Sequence, residues 1–281
     1  MTELTAYEER ALREIEAFKQ PQESRLGALW RKASAPLTQF ADMTLDTSAG
    51  SLVVKSIQDV LDMLNDGATW TVRTATIHDE FRRRGLGPID GPRDIHKLGL
   101  HEVDRLVGSL SAKYQALAVT EGAASGVFGG IGIAADVGLL VGLCLRAVGE
   151  YATYYGFEIG QAPERAFAMS ILSAASIPAG AERRAALTEV TRLSVLLAGG
   201  EPSAELESQK SAMLTKKVAQ ALVVRLVKAK VAQLVPLAGA AVAAGYNAWL
   251  VRSVSASAHQ LYRERFLVEK HGDTVVSRLE K

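Results

Sequence analysis

Four polar residues stand in or beside the two most apolar stretches of this 281-residue chain: Asp136, Arg146, Glu150 and Asn247. In a helix, Arg146 lies one turn before Glu150, and this spacing favours an ion pair. If the two apolar stretches pack together, Asn247 approaches Asp136 or Arg146. Such a buried cluster either holds a ligand, an ion or a proton, or acts as a polar clamp that fixes helix register. The clamp is the favoured interpretation, and we expect contact between at least two of the four side chains.

A ladder of small residues leads up to this cluster. It places Gly122, Gly126, Gly130, Ala134, Gly138 and Gly142 at every fourth position. In a helix these residues form one bare stripe, which lets another backbone approach closely. Gly239 and Ala243 begin a similar stripe that ends at Asn247. The sequence therefore predicts an all-α fold, a compact multi-helix bundle with a central pair of apolar helices rich in glycine and alanine.

The remaining segments also read mostly as helices. Thr5 and Glu8 form a capping-box pattern, and apolar residues recur at helical spacing over 100–117, 166–175, 181–197 and 204–235. The β-branched run at 69–74 is the best strand candidate, and residues 85–94 read as a loop. We expect an N-terminal helical segment and loop over 1–95 and a helical core over 96–281, joined in one continuous domain.

Composition excludes several classes of protein. The net charge of +1 and the 6% aromatic content argue against a nucleic-acid partner. The single cysteine, Cys144, excludes a disulfide framework. The N-terminus lacks the apolar core of a signal peptide, so we expect a cytoplasmic protein. The sequence leaves the oligomeric state open.

No motif for catalysis, cofactor or metal is convincing. Gly130, Gly132 and Asp136 fit a dinucleotide fingerprint, but no strand is predicted before them, so the glycines are read as packing residues. A Gly-x-Ser-x-Gly elbow is absent. The five histidines lack metal-ligand spacing and are expected on the surface. We therefore predict no cofactor, no metal and no catalytic residue, and lean towards a protein that is not an enzyme.

One predicted helix is basic on one side. Its cations are Lys216, Lys217, Arg225, Lys228 and Lys230, set against an apolar stripe that includes Val218 and Leu222. Basic amphipathic helices bind anionic membranes. A solvated face over a core stripe is the simpler interpretation of the same pattern.

Two blocks of the sequence resemble the EcsC family of bacterial proteins. The first block carries Gly126, Gly130, Asp136, Arg146 and the pair Tyr155-Gly156; the second carries Pro236, Gly239 and Asn247. The family takes its name from a protein encoded beside an ABC transporter. The resemblance therefore implies a helical accessory or regulatory protein at or near the membrane, with a membrane surface or a transporter as partner.

Three other functions remain open. The first is a helical binder of a lipid or small apolar ligand, held where the bare stripes leave a cavity. The second is a hydrolase whose site is assembled from distant residues. The third is an integral membrane protein that uses the two apolar segments as a hairpin, against which Asp136 and the mean hydropathy of +0.09 both count.

Overall fold

The computed structural model describes residues 3–20, 72–125, 133–198 and 239–279. The helices in these ranges are α1 (Ala6–Lys19), α2 (Thr74–Arg83), α3 (Pro92–His96), α4 (Leu100–Val107), α5 (Leu110–Ser125), α6 (Ile133–Tyr154), α7 (Ala162–Ala175), α8 (Ala181–Ala198), α9 (Gly239–His271) and α10 (Asp273–Leu279). The described ranges contain no strand, and the predicted all-α fold is confirmed.

The 33-residue helix α9 is the centre of the fold. It packs against α1, α4, α5, α6, α7 and α8, so most of the other helices are arranged around it. One face of α9 buries Leu250, Val254, Ala258 and Leu261, each at most 1% exposed. On α6, Val141, Cys144, Leu145 and Val148 are fully buried. The predicted apolar pair is therefore α6 packed on α9.

Three consecutive charged residues of α9 lie in this core. Arg263, Glu264 and Arg265 are at most 4% exposed. Successive helical residues point about 100° apart, so the three side chains reach different neighbours. Arg263 pairs with Asp104 on α4 and with Glu14 on α1. Glu264 pairs with Lys19 on α1, and Arg265 pairs with Glu164 on α7. The charges therefore tie α9 to three helices at one level.

The capping box predicted at the start of α1 is present. The Thr5 amide donates to Glu8 Oε2 at 2.9 Å, and the Glu8 amide donates to Thr5 Oγ1 at 3.2 Å. Glu8 is also only 1% exposed, and its Oε1 lies 3.3 Å from Lys270 Nζ and 3.2 Å from His271 Nε2. The box thus joins the start of α1 to the end of α9, a link that its sequence pattern does not reveal.

The glycine ladder is described only in part. Gly126 and Gly130 lie outside the described residues, while Gly122 in α5 and Gly239 in α9 lie where side-chain surroundings are not described. Gly138 is half-buried on α6. A Cβ built on Gly142 would meet no described atom within 4 Å, so the close packing predicted for it is not seen among the described residues.

A different glycine of α6 makes the close contact. A Cβ on Gly149 would lie 2.8 Å from Val72 Cγ2, so this glycine lets the segment before α2 approach α6. Gly149 lies off the four-residue ladder, which is why the ladder did not single it out.

Two local expectations are wrong. Residues 72 and 73 are not in a strand, and Thr74, the end of the strand candidate, begins α2; residues 69–71 lie outside the described ranges. The predicted loop at 85–94 ends early, because Pro92 occupies the first turn of α3, where its missing amide costs nothing. The predicted boundary at residue 95 stays a prediction.

None of the helices in the described ranges has both the length and the apolar character that a membrane crossing requires.

Glu8 gives a test of how α1 is held. Burial alone would raise the pKa of its carboxyl, but hydrogen bonds from Thr5 and His271 and the Lys270 charge lower it to about 2. A carboxyl with a depressed pKa stabilises the fold above its unfolded pKa, and this stability is lost as pH falls towards the folded value. We expect Glu8→Gln to lower the free energy of unfolding in urea by on the order of 2 kcal/mol at pH 7, and by much less at pH 2.5.

The matched control is Glu9→Gln, at the adjacent position of α1. The Glu9 side chain is 44% exposed and lies 3.7 Å from Arg278, a solvent-screened pair, so this change should affect stability little at either pH. An equal loss for Glu8→Gln at both pH values would contradict the assigned role of the Glu8 charge.

Candidate functional site

The turn after α6 is built by the Tyr155-Gly156 pair. The Tyr155 hydroxyl donates to Asp104 Oδ1 at 2.6 Å, and its carbonyl oxygen lies 3.0 Å from His96 Nε2. Gly156 has φ +83°, and a Cβ there would lie 2.7 Å from both His96 Nε2 and the Pro92 carbonyl oxygen. Glycine is therefore required twice, for its backbone conformation and for the space that α3 occupies.

The seating of α3 against this turn leaves a cleft of about 800 Å³ between α3, the turn, the start of α7 and the end of α9. We call it the His96 cleft. Its ionisable lining groups are Arg93, His96, Glu158, Glu164, Arg265 and Glu269. Its volume is in the range of small-molecule sites, which is roughly 300 to 1,000 Å³.

One wall of the His96 cleft is a rigid ion pair. Arg265 Nη1 and Nη2 each donate to a different oxygen of Glu164, both at 2.5 Å. The guanidinium carbon of Arg265 lies 4.2 Å from the Phe157 ring centre and 4.7 Å from that of Phe167. Bidentate pairing and the two aromatic contacts leave the guanidinium little freedom.

His96 contributes a neutral imidazole. A carbonyl oxygen only accepts hydrogen bonds, so Nε2 carries the proton that it donates to Tyr155. Burial lowers the pKa of His96, although the Glu269 charge and the Tyr155 carbonyl oppose this effect. Nδ1 therefore holds a lone pair, and it has no hydrogen-bond partner among the described residues. An imidazole in this state accepts a proton or a hydrogen bond.

Three further charges of the cleft wall are exposed. Arg93, Glu158 and Glu269 form no ion pair within the part of the chain that the structure describes. Because Glu164 is already matched by Arg265, the charges available to a ligand are two carboxylates and one guanidinium.

Beside the cleft lies a buried network around Asp104. Tyr7 donates to Asp104 Oδ2 at 2.8 Å, and Arg263 Nε lies 2.9 Å from the same oxygen. Burial and the hydrogen bond to Asp104 raise the pKa of Tyr7 to about 12, and burial raises that of Tyr155 as well. Both phenols therefore stay protonated as donors, and the network supports the turn that holds His96.

The polar cluster predicted from the sequence is only partly described. Arg146 Nε lies 3.7 Å from Glu150 Oε1, at the spacing of one helical turn. Glu150 Oε2 also accepts from Lys113 Nζ of α5 at 2.5 Å, a partner that the sequence did not suggest. Asn247 is buried on α9 and has an interaction partner, but the side chain of Asp136 lies outside the description. A functional role of the cluster stays a prediction.

Other predicted residues fall elsewhere. The basic residues Lys216, Lys217, Arg225, Lys228 and Lys230 lie outside the described residues. The expectation of surface histidines is wrong for His96, which lines the cleft wall, and for His271, whose side chain is 1% exposed. Within the described ranges, no three His, Cys, Asp or Glu residues are grouped as metal ligands.

The His96 cleft is not visible in the sequence because its wall comes from segments that are far apart along the chain. Two signals were present. The run Arg263-Glu264-Arg265 between Tyr262 and Phe266 puts three charges in a row within an apolar helix. Glu164, just after the helix-starting Pro163, is the other half of one of the resulting ion pairs.

A known protein and a protein family resemble this chain in sequence. The chain is similar to the uncharacterized protein YdbA of Bacillus subtilis strain 168, with 22% identity over 264 residues and 94% of each chain covered. No solved structure matches it. The family model described as the EcsC protein family matches residues 9–267, which include the Tyr155-Gly156 turn, the cleft lining to Arg265 and most of α9. The chain therefore belongs to the EcsC protein family.

Proposed function

We propose that this protein is a non-enzymatic accessory protein that binds a small molecule in the His96 cleft at the cytoplasmic face of a membrane, in support of a transport system. The observation that carries the binding role is the cleft itself. It has the volume of a small-molecule site, a rigid wall at Arg265 and Glu164, and three charged side chains left for a ligand.

The ion pair of Arg265 and Glu164 favours binding over catalysis. Arg265 forms a bidentate pair with Glu164 that matches its charge, and its guanidinium also contacts two aromatic rings. A guanidinium whose charge is already matched by a carboxylate orients neighbouring atoms but stabilises a developing negative charge less than an unpaired one. The wall suits recognition of a ligand in its ground state.

A hydrolase is the second candidate, and His96 is the observation that favours it. A neutral imidazole with a free lone pair is suited to act as a general base towards water. A catalytic role requires a nucleophile or an oxyanion donor beside His96, and the described lining offers none in a recognised arrangement. Binding therefore remains the preferred proposal.

The charged lining also distinguishes between kinds of ligand. An acyl chain would leave Glu158, Glu269 and Arg93 without compensation, whereas a polar molecule or a lipid head group would pair with them. The cleft thus favours a polar ligand over the small apolar ligand considered from the sequence.

The membrane role is supported by the sequence and the family. The cations Lys216, Lys217, Arg225, Lys228 and Lys230 follow an amphipathic pattern that suits an anionic surface. The name of the family comes from a protein encoded beside an ABC transporter. Together these features favour work at a membrane surface next to a transporter.

Native mass spectrometry tests the binding role. Protein purified without detergent should retain a small molecule, seen as a second mass peak. Ala162→Trp places an indole at the half-buried first position of α7, in the cleft wall, and should reduce the bound fraction about tenfold by steric exclusion.

The control is Ala185→Trp, at an exposed position of α8, which should retain the second peak. A wild-type protein with only its apo mass, or an adduct that survives Ala162→Trp, would contradict binding in the His96 cleft.

Flotation tests the membrane role. With phosphatidylglycerol vesicles at low salt the wild type should co-float. The triple variant Lys216→Glu, Lys217→Glu and Lys228→Glu should lose about 100-fold in affinity, since each basic residue contributes about 1 kcal/mol at an anionic surface.

A variant with the same change of charge at exposed described sites, Arg84→Glu, Arg184→Glu and Arg192→Glu, serves as the control. Equal loss in both variants would show attraction by net charge alone, and failure of the wild type to co-float would refute the membrane role.

A further inference from the structure

The charges of the His96 cleft that lack a partner have opposite signs on different segments. Glu158 lies on the turn after α6, Glu269 lies near the end of α9, and Arg93 lies on α3. All three are exposed, and none forms an ion pair with the described residues. A ligand of a single charge would satisfy only one side of this arrangement.

His96 adds a hydrogen-bond acceptor near one of the carboxylates. His96 and Glu269 line the same cleft, and the Glu269 charge opposes the lowering of the His96 pKa by burial. Nε2 is fixed by the Tyr155 carbonyl, which leaves Nδ1 to accept from an N–H group. A primary ammonium satisfies both groups, because it carries positive charge for Glu269 and N–H donors for Nδ1. A quaternary ammonium offers the charge without the donors.

The opposite end of such a ligand is defined by Arg93. A guanidinium recognises phosphate or carboxylate through paired N–H donors. Asp94, its neighbour on α3, is occupied by Lys97 Nζ at 2.7 Å and by the amides of Asp90 and Gly91, so it does not compete for Arg93. Arg265 is less suited to this role, since its charge is already matched by the bidentate pair with Glu164.

We propose that the His96 cleft binds a zwitterion with a primary ammonium and an anionic group, the ammonium between Glu269 and His96 Nδ1 and the anionic group on Arg93. This inference rests on the proposed binding function and specifies its ligand class. Ethanolamine phosphate has this chemistry, either free or as the head group of a phospholipid.

The test is isothermal titration calorimetry with phosphoethanolamine and with phosphocholine, which differ only in the methyl groups on nitrogen. Phosphoethanolamine should bind, and phosphocholine should bind at least about tenfold more weakly because it cannot donate to Nδ1. Glu269→Gln and Arg93→Gln should each weaken phosphoethanolamine about tenfold. Glu189→Gln and Arg192→Gln, at exposed positions of α8 outside the cleft, are the matched controls.

Thermal unfolding checks that each variant is folded. The substituted side chains are all exposed, so the substitutions leave the core intact. Equal affinity for the two probes would overturn the assignment of a primary ammonium. Binding that Glu269→Gln and Arg93→Gln leave unchanged would overturn the site.

Two further experiments distinguish a free ligand from a lipid head group, and the ligand class from the binding function itself. Co-flotation with phosphatidylethanolamine vesicles that Glu269→Gln abolishes, and that phosphatidylcholine vesicles do not reproduce, would support the proposal with the lipid as the source. If neither probe nor either vesicle binds while native mass spectrometry still shows an adduct lost in Ala162→Trp, the ligand class is overturned and the binding function stands. If the adduct is absent as well, both the ligand class and the binding function are refuted.

Discussion

The fold depends on three consecutive buried charges of α9. An ionised side chain in the core costs several kcal/mol unless a partner of opposite charge meets it with good geometry. Arg263, Glu264 and Arg265 each lie beside a side chain of opposite charge, and these partners come from α4, α1 and α7. A rotation of α9 or a shift along its axis would separate these pairs. The apolar contacts of α9 supply the driving force for packing, and the charges select one register among those that apolar packing tolerates.

The His96 cleft follows from this constraint. Arg263 holds Asp104, and Asp104 accepts from Tyr155, whose carbonyl fixes His96. Arg265 holds Glu164 and so fixes the start of α7 as the facing wall. The two sides of the cleft are therefore anchored by residues two apart on α9. A site built this way is preorganised, which lowers the cost of ordering side chains when a ligand binds.

The local features of the fold were predictable from the sequence because they depend on near neighbours. The capping box of Thr5 and Glu8, the start of α7 at Pro163 and the apolar faces of α6 and α9 are all patterns within a few residues. The pairing of Arg146 with Glu150 also follows from one turn of helix.

The site was not predictable in the same way, because its contacts span long separations. Arg265 and Glu164 are 101 residues apart, and His96 meets the Tyr155 carbonyl across 59 residues. Sequence periodicity carries no information on such pairs. The Tyr155-Gly156 pair was noted only as part of the family resemblance, and the positive φ and close approach that require its glycine appear only once α3 is in place.

A double-mutant cycle on Arg265 and Glu164 tests most directly whether the buried charges set the register of α9. Arg265→Met keeps an unbranched side chain between Phe157 and Phe167, and Glu164→Gln removes only the charge. Urea unfolding of the wild type, both single variants and the double variant gives the coupling energy. We expect Glu164→Gln alone to cost about 3 kcal/mol, because it leaves a buried guanidinium unpaired, and the double variant to recover about 2 kcal/mol of the summed loss. Single losses that add to within about 0.5 kcal/mol would contradict this expectation.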